Sequence, residues 1–539
     1  MSRIRFILAI TACILTMTTS RAVPIRRISG TFLTDYLIQT DRDNPKLWNR
    51  QSDISFATKA APPGAYATND MSRTGRVEYL LVLADFPDRH FTLRDPVALH
   101  NRYERIFNSD EYTDTVYLHG NRYVTTGSVS NYFKSQSYGQ FEPVFKIVGP
   151  IQVANGYATY GKDKNNSDLA GVERLIKELC DSLTAMGINL SHYDNDGDGN
   201  LESFSVIYAG RGQNYEGAED DAIWPQASTL QLRRYNINNM DFMCTCELCW
   251  DSDTVPDGIG TFCHEFSHTL GLPDFYYTNG SLSAAMGYWS LMDYGTYENE
   301  GFSPVGYTAF EKYSLGWMDI EEINAPGRYW LSDISIKAHP DADIHTAYRI
   351  NSENNDEDKF IILENHNKKG WYKYHKTEGL MVTVVSYLKS KWNSNTVNQS
   401  ASSKHYYILP ADNNYSKESC QGDLFPYNGN DSLTPFSSPK LDMTLFKLYS
   451  IERQENLVTF SVSDRYTLTG SISDSNPVIE CSEGILTVRA SIGSHVELYD
   501  IAGKKLADIV MDNQFWLYKF PDKGFYIVKC GCITKKVSN

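Results

Sequence analysis

The sequence predicts an α/β (α+β) domain followed by β-rich domains, and three observations lead there. Between residues 77 and 209, apolar runs of strand length alternate with segments of helical spacing. From about residue 320 to 463 the helical signal fades into short tyrosine-rich and β-branched runs punctuated by Asn, Asp and Gly. Over the last stretch, 467–539, apolar and polar residues alternate again. At 539 residues, 41% of them apolar, the chain can bury more than one core, which sets an expectation of about three domains.

The first residues carry Arg3 and Arg5, then an apolar run over 6–17 that is too short to span a bilayer, then the small-residue site Ser20-Arg21-Ala22. This predicts a signal peptide over 1–22. Residues 23–76 are polar, dotted with arginine and weakly periodic, and they read as a leader or short pro-segment. At Val77 the texture changes. Residues 77–86 read as an apolar strand, 95–107 and 128–138 as helices, and 141–148 as a strand running into Gly149-Pro150. Val172, Leu175, Ile176, Leu179 and Leu183 recur at helical intervals, and 204–209 form a short buried strand. The expected division is a catalytic domain over 77–319, a β-rich domain over 320–464 and a β-sandwich over 465–539.

The net charge of −16 is spread along the chain, with no basic cluster able to follow a phosphate backbone, which argues against nucleic-acid binding. No segment after the signal has the apolar length of a transmembrane helix. Loss of Cys13 with the signal would leave Cys180, Cys244, Cys246, Cys249, Cys263, Cys420, Cys481, Cys530 and Cys532, an odd number, in a compartment that favours disulfides.

The strongest chemistry lies between Gly258 and Asp274. At about 100° per residue, Ile259, Phe262, Cys263, Phe266 and Leu270 form one apolar stripe, while His264 and His268 fall together on the opposite side. Two imidazoles four residues apart on a helix can reach one Zn²⁺, with Glu265 beside them as general base for an attacking water. HExxH alone also fits a core helix. The residues immediately C-terminal to it favour metal: Gly271 can take positive φ and end the helix, so that Asp274 turns back as a third ligand and leaves a fourth position open. Downstream, Ser290, Met292 and Tyr294 mark a short apolar segment that ends in a tight turn at Gly295.

HExxHxxGxxD followed by Ser-x-Met-x-Tyr resembles the metzincin clan, and the version with Asp as third ligand resembles the immune inhibitor A (M6) peptidases. The similarity runs over roughly 77–435 and takes in residues 79–86, 131–141 and 257–260. It implies a twisted mixed sheet, a zinc-dependent endopeptidase acting on proteins or peptides, Met292 as an apolar floor under the metal, and Tyr294 as an oxyanion donor. It also implies a disulfide from Cys244 to Cys263 that would pin the active-site helix. The leader is shorter than the inhibitory pro-segments of such enzymes. An inactive protease-fold protein that binds surface protein or glycan is the alternative, and Glu265 argues against it, because a dead scaffold has no need of that carboxylate.

Two further patterns carry expectations. Asp194, Asp196, Asp198, Asn200 and Glu202 place side-chain oxygens at alternate positions, with Gly199 at the bend, in a loop similar to an EF-hand that would hold a structural Ca²⁺. It departs from the full pattern, since Ser205 stands where the bidentate Glu belongs. At the far end, residues 495–505, 523–529 and 535–537 resemble the sorting domain of type IX secretion cargo. That resemblance implies export through the outer membrane of a Bacteroidetes-like bacterium, to a secreted or cell-surface location, by the type IX machinery. The plainer reading of the same residues is an ordinary small β-sandwich.

Overall fold

The computed structural model describes residues 21–22, 73–161, 168–215, 218–250, 252–279, 285–337, 344–351, 358–416, 420–433, 448–463, 477–482, 484–490, 493–511, 515–530 and 533–539. The expected signal peptide and leader, apart from residues 21–22 and 73–76, lie outside the described residues, as do Cys13 and Cys532. The described residues fall into two compact units, one within Met1–Ser432 and Leu448–Ser463, the other within Leu433–Lys447 and Asp464–Asn539.

The first unit mixes α and β structure. Its strands begin with β1 (Arg21–Ala22) and β2 (Gly75–Asp85), and α1 (Pro96–Asn108) follows, started by Asp95, whose carboxylate accepts from the Ala98 N–H. A hairpin of β3 (Thr115–Leu118) and β4 (Asn121–Val124) leads to α2 (Val129–Gln136), capped in the same way by Ser128. Then come β5 (Phe141–Gln152), α3 (Asp168–Ala185), β6 (Leu201–Arg211), β7 (Gln226–Leu230), β8 (Met240–Leu248) and α4 (Ile259–Thr269). The six-stranded sheet runs β1-β7-β8-β6-β2-β5. β2 pairs in parallel with both β5 and β6, and β6 with β8, whereas β7 and β1 add on as antiparallel strands. β2 and β6 therefore have a partner on each side. Tyr79 to Ala84 and Leu201 to Gly210 are buried without interruption, the pattern of strands covered on both faces.

After α5 (Ala309–Ser314) the chain turns mainly to strands: β9 (Glu321–Glu322), β10 (Gly327–Leu331), β11 (Ala347–Asn351), β12 (Lys359–His366) and β13 (Gly379–Ser386). The short helix α6 (Lys389–Asn393) precedes β14 (Asn398–Ser400), β15 (Ser403–Lys404) and β16 (Tyr406–Ile408), and β17 (Leu448–Gln454) and β18 (Leu457–Val462) close the unit. β16-β13-β12-β11-β9 make one sheet and β10-β18-β17 another. The first of these sheets shares the core of the six-stranded sheet, through Phe360, Met381 and Tyr406. Trp371, Tyr372, Trp392 and Tyr406 belong to the same apolar cluster as Tyr79, Phe266 and Trp289.

The second unit has its own core of Leu486, Val488, Val496, Leu498, Tyr526 and Val528. Its strands are β19 (Val478–Ser482), β20 (Ile485–Arg489), β21 (His495–Asp500), β22 (Lys505–Val510), β23 (Phe515–Lys519), β24 (Phe525–Cys530) and β25 (Ile533–Ser538). They form two sheets, β19-β20-β23 and β22-β21-β24-β25. No helix among the described residues is long and apolar enough to cross a membrane.

Candidate active site and metal centre

Helix α4 carries His264, Glu265 and His268, and aromatic packing holds it on the sheet. Phe262 meets the Phe107 ring edge-on at 4.6 Å, while Phe266 meets Tyr79 at 5.2 Å and Phe133 at 5.0 Å. Edge-to-face rings at these separations fix orientation as well as burying area. The start of the helix lies close against the chain at 296–301: a Cβ on Gly260 would sit 2.0 Å from the Thr296 carbonyl oxygen, so only glycine fits there. Gly271 has φ of 101°, a left-handed conformation that ends the helix and reverses the chain toward Asp274.

The three predicted metal ligands converge. His264 Nε2 lies 3.1 Å and His268 Nε2 3.2 Å from Asp274 Oδ1, and all three side chains are buried. Each imidazole is turned by a main-chain carbonyl, with Nδ1 of His264 at 2.8 Å from Leu291 O and Nδ1 of His268 at 2.8 Å from Leu272 O. A carbonyl only accepts, so each neutral ring carries its proton on Nδ1 and directs the Nε2 lone pair at the shared point. Two lone pairs facing a carboxylate oxygen repel one another unless a cation lies among them. The spacing fits Zn²⁺, since ligands about 2.05 Å from a tetrahedral metal are about 3.3 Å apart. Burial opposes ionisation of Asp274, but positive charge on the facing imidazoles of His268 and His264 outweighs it and holds the carboxyl well below its ordinary range; a cation bound between neutral rings would act in the same direction.

Glu265, fully buried, follows His264 on the helix. Its carboxylate is near enough to Cys244 and Tyr276 to add to the upward push that burial gives both groups. Tyr276, two residues past Asp274, hydrogen-bonds the Asp274 carboxylate through its hydroxyl. Sequence spacing did not single it out. Asn395, from the segment after α6, also contacts Asp274, and no local pattern could have revealed a partner 121 positions away.

Met292 is fully buried in the turn that supplies Leu291 O, and its own carbonyl accepts from the Phe275 N–H at 2.8 Å. Ser290 Oγ accepts from the Met292 N–H and donates to Glu311 at 2.6 Å, so α5 braces the turn. Tyr294 is buried on the same turn, with its ring 6.2 Å from that of Tyr288.

The expected Cys244–Cys263 disulfide is not formed. Both cysteines are free thiols. Cys244 is held in β8 with its thiol toward Trp224 O at 3.6 Å, and Cys263 is buried on the apolar stripe of α4.

In the 194–202 loop, Asp194, Asp196 and Glu202 bring carboxylate oxygens within 4.8 Å of one another. Burial, and then the carboxylates of Asp196 and Asp194, push Glu202 up to about 7. Asp198 and Asn200, expected as further ligands, make hydrogen bonds within and beside the loop. The Asp198 carboxylate accepts from the Asn200 N–H and side-chain amide, and Asn200 Oδ1 accepts from the main chain and side chain of Asn239.

A buried HExxH helix with a carboxylate closing on both imidazoles is a candidate metal centre of the kind a metallopeptidase uses. In agreement, residues 65–319 match the family model described as Immune inhibitor A peptidase M6, catalytic domain. Among curated proteins the chain is similar to Immune inhibitor A of Bacillus thuringiensis subsp. alesti, 27% identical over 303 residues, which are 49% of this chain and 44% of that protein. It is also similar to Pre-pro-metalloprotease PrtV of Vibrio cholerae serotype O1 (strain M66-2), 25% identical over 298 residues, 47% of this chain and 31% of that one. The chain thus spans less than half the length of the curated relatives it matches.

Proposed function

We propose that the chain is a zinc-dependent metalloendopeptidase that hydrolyses peptide bonds of extracellular proteins. The observation that carries this reading is the convergence of His264 Nε2, His268 Nε2 and Asp274 Oδ1 beside the carboxylate of Glu265. Zinc, when bound, supplies Lewis acidity and brings the pKa of a water down to about 7. Glu265 takes a proton from the attacking water and returns it to the leaving amine. Leu291 and Leu272 keep both imidazoles in the ligating tautomer. Tyr294 is the proposed hydrogen-bond donor to the developing oxyanion, and Met292 the proposed floor beneath the metal.

The test compares casein and gelatin cleavage by the full chain with cleavage by Glu265→Ala, each with and without a zinc chelator. Equal cleavage by the two proteins sinks the mechanism, and no cleavage by either leaves the binding-protein alternative.

A structural Ca²⁺ on Asp194, Asp196 and Glu202 is part of the same proposal, supported by three converging carboxylates of which Glu202 is buried. The strand unit at the C-terminal end is proposed as a type IX sorting module, on sequence resemblance supported by its separate core. It would direct the protein through the outer membrane of a Bacteroidetes-like bacterium.

A further inference from the structure

Of the three proposed zinc ligands, Asp274 is the one carried by irregular chain. Helix α4 ends at Thr269, and residues 272–275 have neither helix nor strand. His264 and His268 gain direction from the helix and from two carbonyls. An aspartate on a loop has two free side-chain torsions and two equivalent oxygens, and neither the helix nor a carbonyl acceptor can select between those oxygens.

Besides the Tyr276 hydroxyl, the segment after α6 supplies the selection. Asn395 Nδ2 donates to Asp274 Oδ2 at 2.5 Å, and Asn395 Oδ1 accepts from the Asp274 N–H at 2.7 Å, so one amide grips both the side chain and the main chain of the ligand. Oδ2 is thereby turned away from the imidazoles, and Oδ1 is the oxygen that faces His264 and His268. Asparagine suits the task because its amide accepts and donates at once, whereas a carboxylate can only accept. The amide is itself held in place. Asn395 has φ of 53°, its N–H bonds Trp392 O, and the indole N–H of Trp392 reaches Gly271 O at 3.1 Å on the other side of the turn.

We propose that Asn395 is a positioning residue for the metal site, orienting Asp274 so that a single oxygen ligates zinc. This inference rests on the zinc-peptidase reading of the site. Partners of metal ligands at one remove typically change affinity by about 10–100-fold when lost.

The experiment measures zinc affinity of the full chain, stripped of metal, by competition with a chromophoric chelator, and records the visible absorption of the Co²⁺ form. Asn395→Gly removes both bonds yet accepts the left-handed backbone. Asn395→Asp keeps the acceptor for the Asp274 N–H and loses the donor to Oδ2, which separates the two bonds. Wild type that binds no zinc, or that binds it no better than His268→Ala, overturns the zinc reading and this inference with it. If wild type binds, both Asn395 variants are expected to keep the wild-type circular dichroism, to bind zinc about 10–100-fold more weakly, and to give an altered cobalt spectrum. A folded variant that binds zinc as tightly as wild type overturns the positioning role while leaving the zinc reading intact. So does loss of zinc that merely accompanies loss of fold in both variants, since Asn395 is then a structural residue only.

Discussion

Nδ1 of His264 lies 2.8 Å from the carbonyl oxygen of Leu291, so the turn that contains Met292 also sets the tautomer of the first proposed ligand. The next carbonyl, that of Met292, accepts from the N–H of Phe275, immediately after the third. The methionine turn therefore touches the site at both ends of the ligand sequence. Met292→Ala should destabilise the chain by about 2–5 kcal/mol, and Met292→Leu, which keeps the volume, by less than about 1.5 kcal/mol. Urea unfolding of the zinc-loaded and stripped chains measures both. Equal costs for the two substitutions would show that the site does not depend on packing at Met292.

Glu265→Gln keeps the shape of the side chain and removes its basicity. The variant is expected to retain zinc, measured by metal analysis, while peptide hydrolysis falls by about 10²–10⁴-fold. A variant that keeps its activity would remove Glu265 from the role of base.

Tyr294 and Tyr276 are separable. Tyr294→Phe should lower kcat by about 10²–10³-fold with little change in KM, the signature of a donor used only in the transition state. Tyr276→Phe loses a hydrogen bond to Asp274 and should act on zinc affinity instead. The reverse pattern would reassign the oxyanion role to Tyr276.

Calcium should raise the stability of the wild-type chain and leave Glu202→Gln unmoved. At about 100 times Kd the gain is about 2.7 kcal/mol, readable as a shift in thermal unfolding on adding EGTA. A shift of the same size in Glu202→Gln would place any bound calcium elsewhere.

Lys312 is fully buried, its ammonium 4.2 Å from the Tyr138 ring centre, and burial lowers its pKa from 10.5 to about 7 despite nearby Glu364, Asp333 and Glu311. Between these values the unfolded chain holds a proton that the folded chain lacks, so this group makes stability rise with pH from about 7 to about 10.5. The slope approaches about 1.4 kcal/mol per pH unit within that window. In Lys312→Met that rise should vanish relative to wild type in denaturant titrations at successive pH values. Parallel profiles would show that Lys312 stays charged in the fold.

Much of the active-site helix was legible in the sequence because its information is local. The 3.6-residue period alone puts His264 and His268 on one side and Phe262 and Phe266 on the other, and Gly271 marks the end of the helix wherever that helix packs. The calcium loop shows where local reading reaches its limit. Alternate oxygens in sequence suggested five ligands, and the fold adds a partner that the pattern does not contain, since Asn200 hydrogen-bonds Asn239. The cysteines misled for a related reason. The resemblance to M6 peptidases and an oxidising compartment favoured a bridge, whereas β8 and α4 bury Cys244 and Cys263 as separate thiols.

By itself, then, the sequence determined the mixed α and β character, the HExxH helix, the turn at Gly271 that sends the chain toward Asp274, and the acidic loop, all of which arise from periodicity and backbone preference over a few turns of chain. Only the tertiary structure decided that β12, β13 and β16 share the core of the six-stranded sheet, that the Leu291 carbonyl sets the His264 ring, and that Asn395 and Tyr276 hold Asp274. The physical reason is that a hydrogen bond or a packed ring depends on distance in space. For pairs as far apart in sequence as 274 and 395, that distance exists only once the sheets and helices have packed.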